Sequence, residues 1–329
     1  MMRFGKLATA TILGLSIVVA GCSGGAKSNF PSQAIEFIAP SGAGGGWDAT
    51  ARTAAKVLND EKIVTQPIAV QNKAGGGGAV GLAYLVDKKA TGYTVNVYSP
   101  PLLLIALNGQ SQFSYKNTTP LAQVMTDFDV FAVKADGKYK TIKDLMDAAK
   151  ADPKSVKVGG GSAPGSMDHL AFIKAAKVYG VDVKTLPYVS FQGGGEAMTN
   201  LLGGHIDVIS TGIGETLEQV RAGKVKLLAV TATKRIDVIK DVPTLKESGI
   251  NADFTIWRGF FGPPEMPIEA KKYFEDAFRK MIDSKAWKEA ADKQGWITEY
   301  KNAADFTKFL EAQNKEMETL LGELGLLKK

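Results

Sequence analysis

An α/β fold with a largely parallel sheet is predicted by two features of this sequence. Short β-branched runs alternate with helical patterns from Phe30 onward, and glycine clusters sit at the strand-to-helix junctions. Residues 35–39 (Ile-Glu-Phe-Ile-Ala) read as the first strand, a glycine-rich turn follows, and 49–58 reads as a helix. The unit repeats with a strand at 67–70, a second glycine run and a helix over 80–88. Later strand candidates are 93–98, 130–134, 156–159, 206–210, 227–231 and 254–257.

The C-terminal third reads as helical, over 268–284, 286–294 and 302 to about 324. In the last of these, Phe306, Phe309, Leu310, Met317, Leu320, Leu321 and Leu324 keep helical spacing and form a core-facing stripe. With 329 residues and 45% hydrophobic content, the chain is large enough for one or two domains with true cores.

The first thirty residues predict export. Arg3 and Lys6 precede an apolar run, 7–20, of signal-peptide length and too short to span a bilayer comfortably. The run ends in Val19-Ala20-Gly21-Cys22, which resembles a lipobox, so residues 1–21 are expected to be a signal peptide and Cys22 the lipidated residue. Residues 22–29 then form a Gly/Ser tether. Cys22 is the only cysteine, which excludes an internal disulfide and a cysteine-rich metal site. The formal charge is +6, of which Arg3 and Lys6 supply two with no acid before Cys22. The mature chain is therefore mildly basic, its Lys and Arg are interleaved with acids, and no nucleic-acid partner is expected.

Four glycine clusters carry the candidate chemistry: residues 40–48, 74–78, 159–166 and 192–196. Glycine lets the backbone approach a ligand closely, and each following helix points unpaired N–H groups and its positive dipole end at the turn. That arrangement suits an anion. Lys73 is the only basic residue in or beside these loops, so a carboxylate is expected to be met by main-chain N–H groups and by Ser41, Ser162 and Ser166.

Other chemistries fit poorly. Gly76-Gly77-Gly78-Ala79-Val80-Gly81 satisfies G-x-G-x-x-G, yet no acid lies near twenty residues on, so no nicotinamide cofactor is predicted. Neither His169 nor His205 belongs to an H-x-x-x-H pair, so no metal site is predicted. There is no G-x-S-x-G elbow, and the chain is read as a non-enzyme. Asp48 and Arg52 are expected to form an i,i+4 ion pair. Asp168 and Glu196 are read as first-turn acids, and Ser166 as an N-cap. His169 is read as a capping histidine or a ligand contact.

These residues resemble the Bug-type receptors of tripartite tricarboxylate transporters, from about residue 33 to the C-terminus. The resemblance is carried by Gly44-Gly45-Gly46-Trp47-Asp48 with Arg52, Asn72-Lys73-Ala74-Gly75-Gly76, Gly92-Tyr93-Thr94, the 161–169 loop, Leu228-Ala229-Val230, Val242-Pro243-Thr244-Leu245 and Trp257-Arg258-Gly259. It implies a two-lobed type II periplasmic-binding-protein fold, with one lobe of 30–130 plus 233–329 and the other of 131–232. Loops 40–48 and 74–78 would face loops 161–169 and 191–195 across a cleft. The implied function is capture of a citrate-like di- or tricarboxylate by a monomeric, membrane-anchored receptor that delivers it to a permease. The alternative is a sensor that feeds a membrane kinase. The candidate ligand-binding residues are Ser41, Gly42, Gly45, Trp47, Asp48, Gly76 and Gly77 on one side. Ser162, Gly165, Ser166, His169, Phe191, Gly194 and Gly195 stand on the other. Trp257 and Arg258 are expected to brace the hinge or core rather than to touch the ligand.

Overall fold

The structure, a computed structural model, describes residue 1 and residues 30–328. The expected leader, the lipidated Cys22 and the tether lie outside the described residues. The strands are β1 Ile35–Ala39, β2 Ile68–Asn72, β3 Thr94–Tyr98, β4 Thr119–Lys134, β5 Val158–Gly160, β6 Tyr188–Ser190, β7 Val208–Gly212, β8 Val225–Val230, β9 Thr255–Gly262 and β10 Ile297–Asn302. The helices are α1 Gly46–Asp60, α2 Ala79–Asp87, α3 Pro101–Leu107, α4 Ile142–Ala151, α5 Met167–Tyr179, α6 Gly194–Leu202, α7 Leu217–Arg221, α8 Ile268–Asp283, α9 Lys285–Gln294 and α10 Ala303–Glu323.

The fold is α/β and two-lobed, and the long strand β4 joins the two halves. Its first part pairs antiparallel with β9, from Thr119 opposite Gly262 to Phe128 opposite Thr255, and with β10. Its second part changes partners, and Asp129 faces Gly212 on β7 while Val130 faces Val230 on β8. The switch falls between Phe128 and Asp129, so residues on either side of it stand where the two halves meet.

The parallel sheet expected from the alternation is found only toward the edges. β1 pairs parallel with β2 and β3, and β5 pairs parallel with β6 and β7. The centre is antiparallel, because β9 runs opposite to both β3 and β4. The helical C-terminal third also needs correction. β10 lies between α9 and α10 and pairs with β4. Its charged and half-exposed residues hide the strand from a search for apolar runs.

Burial explains the other strands. All five residues of β3 are buried, as expected for a strand covered by helices on both faces. On α1 the buried face is Ala51, Ala54, Ala55, Val57 and Leu58. On α10 it is Phe306, Leu310, Met317 and Leu321. A main core gathers around Phe37, Phe260, Phe274 and Phe278, and a smaller one around Val130, Ala197, Leu201, Ile209 and Leu227.

Candidate functional site

Each of the four glycine clusters leads from a strand into a helix: β1 to α1, β2 to α2, β5 to α5 and β6 to α6. The first is held by Asp48. Its Oδ2 accepts the Gly44 N–H at 3.0 Å, and its Oδ1 accepts from Arg52 Nε at 2.9 Å and Asn72 Nδ2 at 2.8 Å. Burial raises the Asp48 pKa, but these donors outweigh it and hold the carboxyl below its ordinary value. Asp48 thus fixes the loop, with both oxygens engaged. The indole of Trp47 donates to Ser99 Oγ at 2.9 Å and packs edge-on against Tyr98, with centroids 5.5 Å apart.

The second cluster is a run of four consecutive left-handed residues, Gly75 to Gly78, with φ of 133°, 56°, 64° and 107°. Only glycine adopts such a series without strain. It brings Gly77 against Ala163, whose Cβ would lie 2.7 Å from a Cβ added to Gly77.

In the third cluster Ser166 occupies the N-cap of α5 in an extended conformation, but its hydroxyl makes no capping bond and is buried without a partner. Ser162 supplies the cap instead, and its Oγ accepts the Asp168 N–H at 3.0 Å. His169 Nδ1 accepts the Gly165 N–H at 2.9 Å, and its ring lies 4.4 Å from that of Tyr188. Desolvation lowers the His169 pKa to about 4, so the imidazole is neutral and holds its own loop.

The fourth cluster touches the first. The Gly42 N–H donates to the Gln192 carbonyl at 2.7 Å. A Cβ on Gly45 would lie 3.5 Å from Gly193 Cα, and one on Gly195 would lie 3.1 Å from the Ala43 carbonyl oxygen. Phe191 points the other way, packing against the smaller core.

Between the first, third and fourth loops lies a cavity of about 30 Å³, which no residue of 74–78 lines, with room for one or two waters. Of the sequence candidates, Ser41, Gly45, Trp47, Ser162 and Gly194 line it. Gly42, Asp48, Gly76, Gly77, Gly165, Ser166, His169, Phe191 and Gly195 stand behind that lining or in the loop contacts around it.

Five side chains that sequence reading left out of the site also line the cavity: Pro101, Met167, Asp168, Glu215 and Arg258. Arg258 is 1% exposed and reaches in from β9. Its Nη2 lies 3.3 Å from Asp127 Oδ2, and its Nη1 donates to Thr50 Oγ1 at 3.2 Å. The guanidinium sits under the first residue of α1, where a Cβ on Gly46 would come within 2.1 Å of Nη2. It therefore braces the junction, as expected, and also faces the cavity. Nothing in its local sequence could have revealed this, because α1 is more than two hundred residues away in the chain.

The acids form a buried group around it. Asp127, Asp129 and Asp168 are each 1% exposed or less. Burial raises Asp127 to about 6 against the pull of Arg258, and burial next to Glu215 raises Asp168 to about 8. Asp129 is raised well above the carboxylate range by burial and by Asp168, Asp127 and Glu215. Among the described residues, no three His, Cys, Asp or Glu side chains are arranged to hold a metal ion, and no helix is long and apolar enough to cross a membrane.

Residues 50–326 match the model of the tripartite tricarboxylate transporter family receptor. The chain belongs to that receptor family. A UPF0065 protein of Cupriavidus necator, from the gbd 5' region, is 29% identical over 329 residues, covering 99% of this chain and 97% of that protein. Among solved structures, a TctC solute-binding protein from Polaromonas is 30% identical, with a TM-score of 0.63 over 89% of this chain and 99% of its own. The periplasmic binding protein BugD superposes with a TM-score of 0.84 at 22% identity, over 91% of this chain and 100% of its own. MatC of Rhodopseudomonas palustris, with bound malate, superposes with a TM-score of 0.81 at 21% identity, over 89% and 100%. The tricarboxylate-transporter receptors are periplasmic solute-binding proteins.

Proposed function

We propose that this receptor captures a small di- or tricarboxylate in the cavity between loops 40–48, 161–169 and 191–195, with loop 74–78 packed behind them, and delivers it unchanged to a transporter permease. The observation that carries the reading is the meeting of the α1 and α6 N-termini with the Arg258 guanidinium at one cavity. Uncapped helix N–H groups and a buried cation are complementary to a carboxylate. MatC, a neighbour of the same fold, holds malate. The lobes are taken as 30–130 plus 233–329 and 131–232, with Cys22 as the lipid anchor.

About 30 Å³ is too small for any such acid, so the loops must part before it enters and close around it afterwards. Four or five charge-assisted hydrogen bonds of roughly 1.5–3 kcal/mol each support micromolar affinity, about −8 kcal/mol, after ordering and desolvation costs. Isothermal titration of the chain from Ser23 against citrate, aconitate, tartrate, succinate, malate and glutamate tests the reading. Micromolar binding of one or more is expected, and heat-silent titrations with all six would overturn it.

A further inference from the structure

Charge in the cavity does not balance. Asp168 and Glu215 line it, Asp127 and Asp129 stand behind them at the β4 switch, and Arg258 is the only cationic side chain among the described residues that line it. Arg258 is already paired with Asp127. A carboxylate ligand would add further negative charge to a site that closes to about 30 Å³. Buried like charges are relieved most cheaply by protonation.

Unsatisfied groups show where the proton and the ligand belong. Arg258 Nε is a buried N–H donor without an acceptor, and Nη2 faces Asp127 at 3.3 Å without hydrogen-bond geometry, which leaves donor capacity for an anion; Asp168 Oδ1 is buried without a partner. Arg258 and Asp168 line the same cavity. The groups that face Asp168 are Asp129 from β4, Tyr188 from β6, Glu215 from the turn after β7, Arg258 from β9 and the Ser162 hydroxyl from its own loop. Two are further acids, one is a phenol and one is a cation already matched, so the surroundings favour the neutral carboxyl.

Resting on the carboxylate-receptor reading, we propose that ligand capture is coupled to proton uptake. Asp168 takes the proton as the cleft closes and donates it in a hydrogen bond to a ligand carboxylate oxygen, while Arg258 donates to the same carboxylate. In the open, hydrated cleft Asp168 is an ordinary carboxylate. Closure strips its water, and the proton it binds lets two carboxyl groups share one dry space. No bond to carbon forms or breaks, and the proton comes from solvent and returns to it on release.

The test is isothermal titration with malate, succinate and tartrate at pH 7.5, in phosphate and in Tris, whose ionisation enthalpies differ. The carboxyls of these ligands are already ionised at that pH, so an exchanged proton resides on the protein. The expected result is uptake of up to one proton per ligand bound, with affinity falling by up to tenfold per pH unit between 7 and 9. Asp168→Asn should lose both the uptake and the slope. Binding with no proton exchange and a flat pH profile would overturn the inference and leave the receptor reading standing. So would uptake that persists in D168N, or affinity that follows sodium concentration instead of pH. Failure of these three and of citrate, aconitate and glutamate to bind at any pH would overturn both.

Discussion

The main-chain N–H of Gly42 donates to the carbonyl of Gln192 at 2.7 Å, and a Cβ on Gly42 would lie 3.7 Å from the Cβ of Gln192. The first and fourth glycine clusters are therefore in hydrogen-bonding contact with no group between them. Opening the cleft costs that bond, and ligand binding must replace it.

A Cβ–Cβ separation of 3.7 Å suits a disulfide. In the chain from Ser23, which lacks Cys22, the double substitution Gly42→Cys with Gln192→Cys should oxidise readily and lock the clusters together. Oxidised protein should lose at least a hundredfold in carboxylate affinity, and reduction with dithiothreitol should restore most of it. Equal affinity in the two redox states would show that the ligand does not enter between these loops.

Gly195 offers the converse test. It lies in the first turn of α6, and a Cβ there would be 3.1 Å from the Ala43 carbonyl oxygen on the facing loop. Valine is a better helix former than glycine, so Gly195→Val should fold normally, with thermal stability within a few degrees of the parent. Its γ-methyls would press on loop 40–45 and keep the cleft ajar. We expect a loss of affinity of roughly a hundredfold, about 2.7 kcal/mol, together with a larger radius of gyration in small-angle scattering.

The pH dependence of stability follows from two residues with opposite signs. His169 is lowered to about 4 from 6.5, so the folded state resists its protonation and stability rises as pH climbs from about 4 to 6.5. Asp168 is raised to about 8 from 3.8, so the folded state binds its proton more tightly. Its contribution is full below the unfolded value and is lost as pH rises through about 8. Asp127, raised only to about 6, acts below that pH. Between pH 6.5 and 8, then, the carboxyl of Asp168 and its neighbour Asp129 dominate. With the cleft held closed by saturating ligand, the melting temperature should fall across that interval, and the fall should be smaller in Asp168→Asn.

Much of the scaffold was legible in the sequence. The alternation placed β1, α1, α5 and the last three helices within a few residues, because each has a strong apolar period or a glycine boundary. The four loops were visible for the same reason. β10 was hidden by its charged residues, and most of β4 by Gln123, Thr126, Asp127 and Asp129, which break up its apolar run. Those acids also mark the limit for the site. Sequence shows which loops end in helix N-termini, but Arg258 and Asp168 acquire their environment only when β9 is laid beside β4 and α5 is packed below it. The basic residue absent from the loops was supplied from a distant strand.

The ion pair between Arg258 and Asp127, 3.3 Å apart with both side chains 1% exposed, makes the sharpest energetic prediction. Breaking a buried pair from one side leaves an uncompensated charge and costs about 3–5 kcal/mol. Arg258→Met should destabilise by that amount at pH 8, where Asp127 is ionised, and by less at pH 5, where the carboxyl can protonate. Adding Asp127→Asn removes the stranded charge and should recover more than half of the loss at pH 8. Chemical denaturation of the parent, both single variants and the double variant at the two pH values measures the coupling. If Arg258→Met costs the same with and without Asp127→Asn at pH 8, the two groups are not energetically paired. The guanidinium would then be held by its hydrogen bond to Thr50 and by packing under Gly46 alone, and would be free to turn fully toward the cavity.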